Sequence, residues 1–148
     1  MIYILVIILV IALDRVVKYY IATNMNPGDT FSVIGDFFHI TSLRNTGAAF
    51  SLMAGHSTVL IAIPAICILA AIIYVFVKRH EIKPLLAWAI SFICAGGLGN
   101  LYDRIMYGYV VDMFDFGSFP VFNVADIAVC VGCGLLILHI AIGDKDER

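Results

Sequence analysis

The chain has 148 residues, of which 62% are hydrophobic and only 14% charged, with a net charge of −2 and a mean hydropathy of +1.01. A soluble sphere of this size has too little interior to hide that much apolar surface. The composition therefore excludes a soluble enzyme and a disordered tail, the acidic balance argues against a nucleic-acid binder, and a polytopic membrane protein remains.

Four stretches have the length of about 20 residues that a helix needs to cross about 30 Å of hydrocarbon. In chain order they are about 1–22, 57–77, 85–107 and 123–142. Lipid offers the backbone no hydrogen bonds, so each is expected to be a helix. The first has no basic start and no small-x-small cleavage site, and it runs straight into Asp14 and Arg15. It is therefore expected to be a retained helix and not a cleaved leader. Between the first two spans, Asn24, Asn26, Pro27, Gly28 and Asp29 form a turn cluster. Two short aromatic and β-branched runs follow, 30–34 and 37–43, separated by Gly35-Asp36. The fold class expected is an all-α membrane protein with four transmembrane helices and a small extracytoplasmic β element in residues 23–56, together one domain over 1–148. Residues 108–122, marked by Gly108, Gly117 and Pro120, are expected to form a second outer loop, within which Gly108-Tyr109-Val110-Val111-Asp112 is an apolar, strand-like run.

Orientation follows from the short loops. Lys78, Arg79 and Lys83 lie in the 78–84 hairpin, which the positive-inside rule places in the cytoplasm. Both termini then face the cytoplasm. Arg15, Lys18, Arg44 and Arg104 fall near the outer side and require another explanation.

The four cysteines, Cys67, Cys94, Cys130 and Cys133, all sit in apolar runs. They are expected to be small core residues, because a disulfide framework would place them in loops and the single CxxC has no second pair for a metal.

Acids inside a membrane are costly and mark function by default. With the topology above, Asp14, Asn100, Asp103, Arg104, Asp112, Asp115, Asn123 and Asp126 all fall at one depth, near the outer face. Asn100, Asp103 and Arg104 share a helix face by spacing, and so do Asn123 and Asp126. Asp14 and Lys18 are spaced to pair. Arg104 is expected to be a counter-ion with Asp103 as its buried partner, and Asp115 to be solvated on its loop. Asp112 and Asp126 have no basic neighbour in the chain. Two carboxylates held close cannot both ionise, so such a pair supplies an acid and a base from one residue type. It can activate a water and protonate a leaving amine without metal or cofactor. His39 and His56 beside these acids lack the spacing of a metal site, and no Gly-x-Ser-x-Gly elbow supports a serine mechanism. His80 and His139 fall toward the inner side, away from the acids. A proton-coupled transporter would string acids across the full thickness, whereas here the inner half is nearly bare. A structural tetraspan scaffold does not account for acids gathered at one depth.

Five blocks in order carry a resemblance: Leu13-Asp14-Arg15-Val16-Val17-Lys18, Arg44-Asn45-Thr46-Gly47-Ala48-Ala49-Phe50, Gly96-Gly97-Leu98-Gly99-Asn100-Leu101-Tyr102-Asp103-Arg104, Gly108-Tyr109-Val110-Val111-Asp112 and Phe122-Asn123-Val124-Ala125-Asp126. The chain resembles lipoprotein signal peptidase, the type II signal peptidase family of bacteria. The resemblance implies a membrane aspartic endopeptidase that cuts a prolipoprotein before a diacylglyceryl-modified cysteine. It carries the catalytic pair onto Asp112 and Asp126, and polar support onto Asp14, Asn45, Asn100, Arg104 and Asn123. It places the residues around Asn45 over the active site and makes 23–56 an extracytoplasmic β-cradle. The expected partners are lipidated prolipoproteins and membrane lipids, with no nucleic acid, for a chain acting as a monomer. The expected location is the bacterial cytoplasmic membrane, with the active site near its outer face. Small residues at Gly47-Ala48-Ala49 would let substrate approach the bundle.

Overall fold

The computed structural model describes residues 2–47 and 57–146. Helix α1 spans Ile2–Asn24 and ends at the turn cluster, where the Asn24 and Thr23 side chains donate to the carbonyls of Tyr20 and Tyr19 at 2.8 Å each. These bonds satisfy carbonyls that a helix end leaves unpaired. Strands β1, Thr30–Ile34, and β2, Phe38–Asn45, form the expected hairpin, turning at Gly35 with φ 47°. Helix α2 covers Ser57–Val77. Helix α3 runs Pro84–Tyr107, with proline at its first position and Gly108 in the left-handed region at its end, φ 77°. Proline there lacks an N–H that no helical partner would have met, and glycine carries no Cβ to oppose that φ. Helix α4, Val124–Asp146, continues past the expected end at 142.

Three of these helices, α2, α3 and α4, are long and apolar enough to cross a membrane. Helix α1 has the length, 23 residues, but carries Asp14, Arg15 and Lys18. Large apolar side chains are exposed on the outward faces of all four helices. The cysteines correct an expectation: Cys67, Cys130 and Cys133 are exposed and only Cys94 is buried, with all four free. In a bundle solvated by lipid, an apolar residue has no need of a core.

The 108–122 segment also departs from the expected loop. Val110–Asp115 forms a third strand, β3, antiparallel to β2 in a sheet ordered β1-β2-β3. Its Val110, Val111 and Met113 are buried, and Met113 packs with Ile21 of α1 and Val111. The chain then returns alongside β3, Phe114 and Phe122 exchanging backbone hydrogen bonds of 2.8 and 3.1 Å. The sheet is thereby anchored on the C-terminal end of α1, and β3 delivers Asp112 next to the start of α4.

Helix α3 is the hub, packed against α1, α2 and α4. Its approach to α4 depends on glycine: a Cβ on Gly96 would collide with the Ala125 carbonyl, and one on Gly132 of α4 would lie 2.7 Å from the Ala89 carbonyl. Small residues at such crossings let backbones come close enough for side chains above them to meet.

Candidate active site

The start of α4 builds half of the site. Asn123 caps the helix: its Oδ1 accepts from the Asp126 backbone N–H at 2.9 Å, and Asp126 Oδ2 accepts from the Asn123 N–H at 3.1 Å. This reciprocal pattern is a capping box, with Asp126 at its third position. Another unpaired N–H of that first turn, that of Ala125, donates to Asp14 Oδ1 at 3.0 Å. Asp14 therefore ties α1 to the start of α4.

Amides from three elements then meet two carboxylates. Asn123 Nδ2 donates to Asp112 Oδ1 at 2.6 Å, and Asn45 Nδ2 from β2 donates to Asp112 Oδ2 at 2.8 Å. Asn100 Nδ2 from α3 donates to Asp126 Oδ1 at 2.7 Å. Asn123 thus bridges the two acids, contacting Asp112 by its side chain and Asp126 by its backbone. Asp112 is 2% exposed and Asn123 fully buried, whereas Asp126 is half-buried. Burial pushes the Asp112 carboxyl up to about 6, against the two amide hydrogen bonds that favour its charged form, with the nearby Asp126 adding to the rise.

Among the described residues neither Asp112 nor Asp126 forms a salt bridge. Lys18 and Arg15 are engaged elsewhere. Lys18 Nζ lies 2.9 Å from Asp14 Oδ2 and 2.7 Å from Asp103 Oδ2, and Arg15 pairs with Asp103. The Asp14–Lys18 pair is the one expected from spacing. The Asp103–Arg104 pair is not formed. Adjacent residues on a helix point about 100° apart, so Asp103 turns to α1 while Arg104 faces the two free acids. Arg104 Nη2 donates to the Gly47 carbonyl at 3.0 Å and closes no ion pair among the described residues. Gly47 N–H in turn donates to Asn45 Oδ1 at 2.9 Å. Asp115 is not simply solvated: it is half-buried at the end of β3 and accepts from Thr41 Oγ1 at 2.9 Å and Gly117 N–H at 2.8 Å. Lys18, Arg15 and Asp103 complete the polar cluster although none was among the expected site residues. Lys18 was visible through its spacing to Asp14, whereas the reach of Asp103 across to α1 leaves no local signal. Ala48, Ala49, Phe50 and His56 lie outside the described residues.

Both free carboxylates, with Asn45, Asn100, Asn123 and Arg104, line one cavity of about 510 Å³. The rest of its wall is mainly apolar, including Val110, Phe119, Ile127 and Cys130. All seven site residues expected from the sequence are thus in one connected cluster, six on the cavity wall and Asp14 behind α4. His139 is remote, beside Lys78 and Lys83 at the other end of the bundle. Two carboxyls in different settings beside an apolar trough have the means to move protons on a substrate that is itself largely apolar.

A family described as signal peptidase (SPase) II matches residues 6–142 of the chain. A lipoprotein signal peptidase of Brevibacillus brevis is 39% identical over 148 residues, covering 99% of each chain. One from Staphylococcus aureus strain JH9 is 45% identical over 149 residues, covering 98% of this chain and 91% of its own. A solved bacterial membrane enzyme superposes with a TM-score of 0.91 at 38% identity, over 99% of this chain and 91% of its own. A second superposes at 0.83 with 40% identity, over 93% of this chain and 91% of its own.

Proposed function

The chain belongs to the signal peptidase II family, and from that premise we propose that it removes signal peptides from prolipoproteins, with Asp112 and Asp126 as its catalytic pair. The observation that carries this reading is that both carboxylates reach one largely apolar cavity while Lys18 and Arg15 are spent on other acids. One carboxylate takes a proton from a water whose oxygen attacks the scissile carbonyl carbon. The other carboxyl gives its proton to the leaving nitrogen as the C–N bond breaks. Asp112, held up to about 6, is suited to carry a proton near neutrality. Asn45, Asn100 and Asn123 hold the pair in place, Asp14 anchors the start of α4, and Arg104 orients the Gly47 carbonyl beside Asn45. No metal or cofactor enters the scheme.

The cavity wall suits a signal-peptide helix, and a diacylglyceryl group on the cysteine would extend into surrounding lipid. We further infer that all four helices span the bacterial cytoplasmic membrane, with the site near its outer face, the 78–84 hairpin and both termini inside, and residues 23–56 as an outer cradle within one domain. The internal pairing of the α1 charges supports the first span, since Asp14 and Lys18 neutralise each other away from lipid.

The purified chain, reconstituted in lipid, should cut a prolipopeptide whose cysteine carries diacylglyceryl and leave the unmodified peptide intact. Equal cleavage of both peptides would overturn the assigned substrate class. Reporter fusions after Arg79 should read cytoplasm and those near Asn26 the outer side, and the reverse pattern would overturn the topology.

A further inference from the structure

Lys18 is fully buried, and among the described residues it is the only lysine that is. Its ammonium touches two carboxylates, Asp14 Oδ2 at 2.9 Å and Asp103 Oδ2 at 2.7 Å. With three donors, the ammonium also reaches a neutral group, donating to Asn100 Oδ1 at 2.9 Å. A second donor, Asn123 Nδ2, reaches the same oxygen at 3.2 Å. The other end of that amide, Nδ2, meets Asp126 Oδ1 at 2.7 Å.

An amide has two nearly isosteric ends, one acceptor and one donor, and only its surroundings decide which way it faces. An ammonium has donors and no acceptor. Lys18 therefore holds Asn100 Oδ1 toward α1 and, as a consequence, Nδ2 toward Asp126. Turned over, the amide would set its NH2 against the ammonium and its oxygen against the carboxylate, losing both bonds. In the observed sense Asp126 has both oxygens fixed, Oδ1 by Asn100 and Oδ2 by the Asn123 backbone N–H at 3.1 Å. Its remaining lone pairs then have one direction relative to the cavity.

We propose that Lys18 is a positioning residue for cleavage, acting through the Asn100 amide to set which face of that amide Asp126 meets. The inference rests on the reading of Asp126 as a reacting carboxylate. It differs from a role in charge balance alone. Asp103 keeps Arg15 without Lys18, and Asp14 keeps the Ala125 N–H. Charge balance has no need of Asn100.

The experiment separates the two roles. Lys18→Met alone strands Asp14, so it is paired with Asp14→Asn, which removes one buried charge of each sign. Against the single Asp14→Asn protein, the double variant should melt at a similar temperature, keep its KM for the lipidated prolipopeptide, and lose kcat by roughly ten- to a hundred-fold, the cost of a misplaced reacting group. Asn100→Ala should lose kcat to a similar degree, and adding Asp14→Asn/Lys18→Met to it should cost little beyond Asp14→Asn itself. A double variant with the kcat of Asp14→Asn overturns the inference, as do losses that multiply in the combined protein. Should the double variant fail to fold, Asn100→Ala at full kcat overturns it by itself. Asp126→Asn is assayed alongside. If that protein cleaves at the wild-type rate, the catalytic assignment fails. If it is inactive while Asp14→Asn/Lys18→Met matches Asp14→Asn, only the positioning role fails.

Discussion

Two clusters of acids sit side by side near one end of the bundle, and they are solvated differently. Between α1 and α3, Asp14 and Asp103 face Lys18 and Arg15, so two buried negative charges meet two positive ones. Between β3 and α4, Asp112 and Asp126 meet neutral amides from Asn45, Asn100 and Asn123. A full opposite charge ties each of the first pair to a partner, Lys18 within α1 and Arg15 across to α3. A neutral amide fixes a carboxylate's position while leaving proton exchange within reach of neutral pH. The first cluster thus suits holding helices together, and the second suits chemistry. They join at Asn100, which accepts from Lys18 and donates to Asp126.

The sharpest way to break this contrast is to remove the ionisable oxygen from each cluster in turn. Asp112→Asn and Asp126→Asn should each reduce cleavage by about 10³-fold or more, since both acid and base steps need an exchangeable proton. Asn at 126 retains an oxygen for the capping bond from the Asn123 N–H, so the fold should persist. The double variant should be no worse than either single one, because the two groups act as a unit. Turnover of a lipidated prolipopeptide, with a melt as control, is the measurement. Well-folded single variants that still cleave would assign the chemistry elsewhere.

On the other side of the comparison, Asp103→Ala should show itself first in stability. It leaves Lys18 and Arg15 with one carboxylate fewer in a buried setting, at a cost of about 3–5 kcal/mol. Denaturation in mild detergent should reveal this loss. If Asp103→Ala melts like the wild type and loses only activity, the division of labour between the clusters is wrong.

A third effect concerns pH and has the opposite sign. Asp112 titrates near 6 in the fold against 3.8 when unfolded. The fold therefore binds that proton more tightly. The associated stability is complete below about pH 4 and is lost as pH rises through about 6. Asp112→Asn removes a carboxylate that is unfavourably buried above that range, so the variant should be more stable than wild type at pH 7.5, by up to about 3 kcal/mol. The gain should vanish near pH 4. A variant less stable than wild type at pH 7.5 would mean that the hydrogen bonds from Asn45 and Asn123 outweigh burial.

Much of this arrangement is legible before any coordinates. Long apolar runs locate the helices, and turn residues locate the hairpin, because each signal is local. The i, i+4 spacing locates Asp14 with Lys18 for the same reason. The third strand is legible only as an apolar, strand-like run ending at Asp112; its pairing with β2 leaves no local signal, because its Asp112 lies 67 residues from Asn45. Asp103 is misassigned because proximity in the chain favours Arg104, whereas helix rotation sends the two to different neighbours. The exposed cysteines mislead because the usual link between apolar character and burial assumes water outside. Six of the seven site residues are reached by depth and spacing as well as by the five-block resemblance, whereas Asn45 comes from the resemblance alone. Spacing alone places acids and amides at one depth but does not say which acid meets a cation and which an amide.

The smallest effect sharpens the comparison at the seam between the clusters. Gly96 lies one helical turn below Asn100 on α3, and a side chain there would strike the Ala125 carbonyl and lie 2.8 Å from Val129 Cγ2. Ala125 directly precedes Asp126 and gives its own N–H to Asp14. Gly96→Ala should therefore push the start of α4 away from α3 at the level where Asn100 meets Asp126. Backbone cannot yield as a flexible side chain does, so an overpacking cost of about 1–3 kcal/mol is expected. The salt bridges of Asp103, formed between α3 and α1, should survive. The variant should thus lose activity out of proportion to its lost stability. The measurement is kcat of the fraction still folded, taken well below its melting temperature. If kcat per folded molecule is unchanged, the α3–α4 approach serves packing alone, and the 2.7 Å bond from Asn100 to Asp126 does not limit the reaction.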